Sequence, residues 1–201
     1  MKILYIGPQR THMVEFLRSQ GDEVVHTEKR FDLQSEILQG VNFILSYGYR
    51  YILSENVIEA FPRQVVNMHI SYLPWNRGKD PNLWSFLEDT PKGVTIHFID
   101  PGIDTGDILA QEQVEFYPDD TLRTTYARLS ERIEALFRRI WSDVRAGQQS
   151  TIPQPSGGSF HFARDKAAVE HLLYSGWDTP IKDLIGRWKH HRLDSERIKG
   201  G

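Results

Sequence analysis

Two residues spaced two apart, Asn67 and His69, are the first in this 201-residue sequence that could do chemistry. In the apolar run Val65–Ile70 they occupy alternate positions of an expected strand, so both side chains leave the same face. At the carboxyl end of a strand in an open α/β sheet, that face meets the ligand crevice. An amide donor and an imidazole would then point into one small volume. By itself an Asn-x-His pair is more often a structural hydrogen-bonding pair than a catalytic one. A second segment changes the balance. Gly93–Ile99 reads as a strand that runs into Asp100-Pro101-Gly102-Ile103-Asp104-Thr105-Gly106-Asp107, a turn too rich in Gly and Asp for a core element. It is expected at the carboxyl end of the neighbouring strand. His97, in the middle of GVTIHFI, reads as a buried, hydrogen-bonded structural residue. Asp100 and Asp107 fit no EF-hand spacing and no HExxH occurs, so no metal site is expected.

The elements that must position these residues alternate short apolar runs with amphipathic stretches, the pattern of βα units around a parallel sheet. The expected class is α/β: a Rossmann-like, mostly parallel sheet with helices on both faces, plus a short C-terminal extension. Strands are expected at Lys2–Ile6, Glu23–His26, Phe43–Ser46, Val65–Ile70 and Gly93–Ile99, with Ile108–Phe116 pairing beside the last. Helices are expected at Thr11–Ser19, Ser35–Gln39, Ser54–Ala60 with Ser54 as cap, and Pro81–Glu88. The longest helix, Thr121–Arg145, carries Leu122, Tyr126, Leu129, Ile133, Leu136, Phe137, Ile140 and Trp141 as one stripe, read as core packing. Residues 1–147 form the expected catalytic domain and 148–201 a linker and helical extension. Gln148–Ser159, rich in Gln, Ser, Pro and Gly, reads as a surface connection. The apolar residues of the tail, from Leu172 to Trp188, need a partner on the same domain or on a second subunit.

Composition narrows the chemistry. Hydrophobic residues at 39% and 5 Trp, 10 Phe and 8 Tyr can fill a core, which excludes global disorder. A formal charge of −3 disfavours nucleic acid as a partner. With no Cys there are no disulfides, thiolate ligands or thiol nucleophiles, as suits a cytoplasmic chain. No stretch of ~18 apolar residues suggests a membrane span. After the first strand, Gly7-Pro8-Gln9-Arg10 lacks the spaced glycines of a dinucleotide loop, and no GxxxxGK[ST] occurs. Gln9 and Arg10 either receive a phosphate at the helix N-terminus or form a solvated turn.

The specific signal lies in the combination. Asn67-Met68-His69 with Ser71, Leu73 and Pro74, then Arg77-Gly78, Pro81 and Trp84, then Gly93–His97, then Asp100 through Leu109, resembles the N10-formyltetrahydrofolate-dependent formyltransferases. The likeness is strong over residues 40–115. It implies that Asn67, His69 and Asp104 are catalytic. It also implies that N10-formyltetrahydrofolate is held by Tyr47, Gly48, Tyr49, Arg50 and Ile52 together with Asp100 and Ile103, largely through backbone groups. A homodimer is the assembly it suggests. An amine attacking a formyl carbon creates an oxyanion, for which the Asn67 amide and a protonated His69 would be donors. Asp104 would favour the charged imidazole and help take the proton lost by nitrogen.

Within that family, methionyl-tRNA enzymes carry a further basic C-terminal domain and formyltetrahydrofolate hydrolases an N-terminal one, and neither is expected here. The run Tyr72–Trp84 resembles the sugar-nucleotide enzymes, whose helix after the catalytic strand opens Pro-Asn-x-Trp. The expected acceptor is therefore the amine of a dTDP-linked amino-dideoxy sugar, of the kind that feeds bacterial surface polysaccharide (lipopolysaccharide O-antigen). Gln9, Arg10, Trp75, Arg77, Lys79 and Asn82 are its candidate contacts. Glycinamide ribonucleotide is the alternative acceptor, and a non-catalytic folate-binding module the alternative class.

Overall fold

A computed structural model describes residues 1–117 and 119–199, with side chains described through residue 193. The elements are β1 (Lys2–Ile6), α1 (Thr11–Ser19), β2 (Glu23–Thr27), β3 (Phe43–Ser46), α2 (Glu55–Ala60), β4 (Val65–His69), β5 (Arg77–Gly78), α3 (Pro81–Leu87), β6 (Gly93–Phe98), β7 (Ile108–Gln113), α4 (Leu122–Arg145), β8 (Phe160–His161) and α5 (Ile181–Lys199). The main sheet runs β2-β1-β3-β4-β6-β7, and β5 pairs with β8 in a small second sheet. The fold is α/β and mostly parallel, as expected. Among the described residues no helix is long and apolar enough to cross a membrane.

The strands are apolar on both sides because helices cover both faces. On one face Ile3, Tyr5, Val66, Met68 and Ile96 pack against α1 and α4, where Leu17, Ile133, Phe137 and Trp141 are buried. On the other, Leu4, Ile6, Ile44 and Val65 meet Val57 of α2. Each such side chain contributes about 1.5–3 kcal/mol by leaving water. Period two sends Asn67 and His69 to the α2 face. There α2 covers β1 and β3, and the polar residues of β4 and β6 line an open cavity instead.

Three expectations change. The helix read at Ser35–Gln39 is one 3₁₀ turn, Glu36–Leu38. Ser54 stands at the N-cap of α2, but its hydroxyl donates to Asn56 Oδ1 at 2.6 Å and makes no cap bond. β6 runs antiparallel to β4, so Asn67 lies opposite His97, and the Asp-rich loop turns back toward β4 from the end opposite to that expected.

The tail finds its apolar partner within the chain. Leu172, Ile181 and Leu184 pack with Leu83, Trp84 and Leu87 of α3 and Leu122 of α4. This removes the reason for seeking that partner on a second subunit. The junction is fastened at Asp120, whose carbonyl accepts the Ile181 N–H at 2.9 Å. Its carboxylate receives the Arg128 fork at 2.6 and 2.9 Å and the Tyr117 N–H at 2.7 Å. The Arg128 bonds outweigh the opposing desolvation and hold the Asp120 carboxyl at about 2, against about 3.9 in an unfolded chain. A folded-state value below the unfolded one stabilises the fold above the unfolded value, and that stabilisation is lost as pH falls through the folded one. Asp120→Asn is therefore expected to melt below wild type at pH 7, with the gap closing between about pH 4 and pH 2. A gap independent of pH in thermal unfolding would refute this account.

Candidate active site

Asn67 and His69 leave β4 on one face, and His97 joins them from the facing strand. Asp104 reaches them because the loop after β6 folds back on itself. Thr105 Oγ1 and the Gly102 N–H both bond Asp100 Oδ1, at 2.6 and 3.1 Å. Asp104 itself is left-handed at φ 53°, a conformation that costs a non-glycine residue roughly 1–3 kcal/mol and that the surroundings must hold.

The groups converge. Asn67 Nδ2 donates to Asp104 Oδ1 at 3.1 Å, and the Gly78 N–H of β5 donates to Oδ2 at 2.9 Å. His69 Nδ1 lies 3.6 Å from Oδ2 and His97 Nε2 3.4 Å from Oδ1. The other nitrogen of His69 bonds the Asn76 carbonyl at 3.0 Å, and His97 Nδ1 bonds the Phe98 carbonyl at 2.7 Å. Burial alone would push the Asp104 carboxyl up. The charge of His69, the bond and charge of His97 and the Gly78 N–H together outweigh it and hold the group well below the usual carboxylate range. Asp104 is thus a fixed negative charge beside two imidazoles.

These residues open onto a cavity of about 480 Å³, the size of a small-molecule site. By chain segment the lining has two parts, and one arm comes from the segment after β3 and the Asp-rich loop. Tyr47, Gly48, Tyr49, Arg50, Ile52, Asp100 and Ile103 all line the cavity, with Ile70 and Ile99 as apolar wall. The other arm is made by Lys79, Asn82, Tyr126, the run Phe160–Ala163 and Trp177.

The formyl transferase family model matches residues 21–140, well over half of the chain. The chain belongs to the formyl transferase family. It is 54% identical to the formyltransferase PseJ from Anoxybacillus kamchatkensis, whose crystal structure contains UDP-4,6-dideoxy-4-formamido-L-AltNAc and tetrahydrofolate. That likeness covers 94% of this chain and all of the other, with a TM-score of 0.91. A 4-N formyltransferase from Francisella tularensis shares the fold at TM-score 0.74 and 22% identity, over 84% of this chain and 78% of that one. Methionyl-tRNA formyltransferase of Elusimicrobium minutum is 30% identical over 67% of this chain, which spans only 41% of that protein's length.

Against this family background, four expected acceptor contacts lie outside the cavity lining. The Arg10 guanidinium bonds Glu134 at 3.4 Å and the Tyr126 hydroxyl at 3.3 Å, and sits 4.1 Å over the Tyr47 ring. Its charge thereby steadies two wall residues. Arg77 donates to the Gly157 carbonyl at 2.9 Å, tying down the return segment. Trp75 and Gln9 are exposed and do not line the cavity. Lys79 and Asn82 do line it. Asn82 is 1% exposed, its amide nitrogen bonds the Leu122 carbonyl, and its oxygen has no protein partner.

Sequence reasoning missed part of the second arm. Tyr126 belongs to the apolar stripe of α4 but stands 36% exposed on the cavity wall. Its hydroxyl was the signal that set it apart from the stripe's Leu and Ile. His97 is buried and hydrogen-bonded as expected, and it also touches Asn67 at 3.3 Å and Asp104. Phe160, His161 and Phe162 arrive from the extension, where no periodicity marked them. His161 stacks on Trp84 with ring centroids 3.9 Å apart.

Proposed function

We propose that this protein transfers the formyl group of N10-formyltetrahydrofolate to the primary amine of a nucleotide-linked amino-dideoxy sugar. The observation that carries the reading is the convergence of Asn67, His69 and Asp104 on one cavity. The folate arm suits a flat pterin: apolar walls for the ring and backbone groups of residues 47–53 for its polar edge. The second arm suits the acceptor, with Lys79 for phosphate charge, the unpartnered Asn82 oxygen as an acceptor, and the rings of Phe160, Phe162 and Trp177 for a base.

In this reading the acceptor nitrogen attacks the formyl carbon, forming a C–N bond, and the oxygen takes the charge. Asn67 Nδ2 donates to that oxygen. His69, as an imidazolium, donates from Nδ1, whose 3.6 Å separation from Asp104 exceeds hydrogen-bond range and leaves its proton available. Asp104 balances the imidazolium, and the acceptor nitrogen gives up its proton to water. The carbon–N10 bond then breaks and N10 takes up a proton. No covalent enzyme intermediate is needed.

The expected base was thymine. The UDP-sugar bound by the 54% identical relative favours uracil and an amine at C4. Assaying UDP- and dTDP-linked 4-amino and 3-amino sugars with the folate donor is expected to give a formamido product with the UDP-4-amino sugar at the highest kcat/KM. Product from glycinamide ribonucleotide alone would overturn the proposal.

A further inference from the structure

We propose that Gln154, in the segment that returns from α4 to the site, is a positioning residue for Asp104, a role that rests on the formyl-transfer reading above. Its side-chain nitrogen donates to the Asp104 carbonyl at 2.8 Å and to the Gly106 carbonyl at 2.9 Å. Those carbonyls bracket the turn that presents the carboxylate. The contacts inside the loop, from Thr105 and Gly102 to Asp100, shape the turn but do not attach it to the rest of the protein. A left-handed Asp keeps its conformation only when its surroundings over-determine it. One amide shared by the two carbonyls supplies such a constraint.

The sequence makes Gln154 a stiff arm. Pro153 and Pro155 flank it: each proline fixes its own φ, and a residue that precedes proline is driven to extended backbone. Two residues earlier, Ile152 is bonded to Ile108 at the start of β7 through both backbone groups, at 2.8 and 2.9 Å. The side chain therefore starts from an anchored, extended backbone. Farther along, the same segment becomes β8 and pairs with β5. Ser159 and His161 accept from the Arg77 and Lys79 N–H groups at 3.0 and 2.9 Å. Between those two, the Gly78 N–H is left to bond Asp104 Oδ2. One stretch of chain thus grips Asp104 twice: at its carbonyl through Gln154, and at its carboxylate through the strand that β8 holds in place. Gln154 lies beyond the matched family segment, residues 21–140, although the carboxylate it serves lies inside it.

A matched control exists in the same segment. The Gln149 side chain donates to the Leu109 carbonyl at 2.8 Å, outside the Asp104 loop. Gln154→Ala is expected to lower kcat about tenfold with KM for the folate donor within twofold. Gln149→Ala, at a similar loss of Tm, is expected to leave kcat at the wild-type level. Gln154→Glu puts a carboxylate against two carbonyls at neutral pH, and its turnover relative to wild type is expected to rise as pH falls and the new carboxyl becomes a donor. Amide hydrogen exchange over residues 100–107 is expected to quicken in Gln154→Ala and stay unchanged in Gln149→Ala. Equal kcat in the two alanine variants, or a Gln154→Ala loop that exchanges like wild type, would overturn the assignment. Should the wild-type enzyme formylate none of the amino sugars, the proposed function fails, while the exchange measurement still decides whether Gln154 holds the loop.

Discussion

Replacing Asn67 with Ala is expected to lower kcat by about 10²–10³-fold while tetrahydrofolate binding, measured by calorimetry, stays within a few-fold of wild type. The magnitude is that of removing one preorganised donor from a developing oxyanion. The loss falls on kcat because the bond strengthens only as the formyl oxygen becomes charged; a contact equal in ground and transition states would move KM instead. The fold should tolerate the change. Asn67 is partly exposed, its backbone is paired within β4 on both sides, and the neighbours that fill the core, Val66 and Met68, point to the other face. What the variant loses in the free protein is the 3.3 Å contact with His97 and the 3.1 Å bond to Asp104, which Gly78 continues to hold. Wild-type turnover in Asn67→Ala, or folate affinity falling in step with kcat, would remove Asn67 from the chemistry.

The second large effect is expected from Asp104→Asn, at about 10²–10³-fold in kcat. The substitution is nearly isosteric, so the loop geometry should survive, but the only carboxylate within 3.6 Å of both His69 and His97 is gone among the described residues. In the proposed mechanism the imidazolium then lacks its counter-charge. The direction of the Asp104 pKa adds a pH signature. Desolvation raises it, yet the two histidines and the Gly78 N–H bring it well below the usual carboxylate range. A carboxylate held this low stays charged throughout the working range. The wild-type rate should therefore show no loss from Asp104 protonation down to about pH 4, where an unperturbed Asp titrates. The same sign applies to stability: what the ionised group contributes is present above the unfolded value and is lost only as pH falls through the depressed folded one. A wild-type kcat/KM profile with a carboxylate limb that disappears in Asp104→Asn would contradict the assignment.

Much of this molecule is legible in the order of its residues. Local periodicity locates β1, β3, β4, β6 and α4 to within a residue or two, because strands buried on both faces must be short and apolar, and a helix against a sheet must carry a stripe. The pairing of Asn67 with His69 on one face follows from the pleat alone. Where the sequence runs out, the cause is distance along the chain. Nothing local states that β6 runs antiparallel to β4, which brings His97 across from Asn67. Nor does Arg10 announce that it meets Glu134, more than a hundred residues away.

The C-terminal stretch is the clearest case. Its Gln, Ser, Pro and Gly content describes a connection without regular structure, and that is accurate about its backbone. Composition cannot say where such a segment lies, because a two-residue strand and a single side-chain amide leave no periodic trace. The identities of the proposed reacting groups were set by sequence: an amide, an imidazole and a carboxylate on two short motifs. Their mutual orientation was decided by tertiary structure, since a left-handed turn at Asp104 is strained in isolation and persists only where strands and side chains from distant parts of the chain close around it.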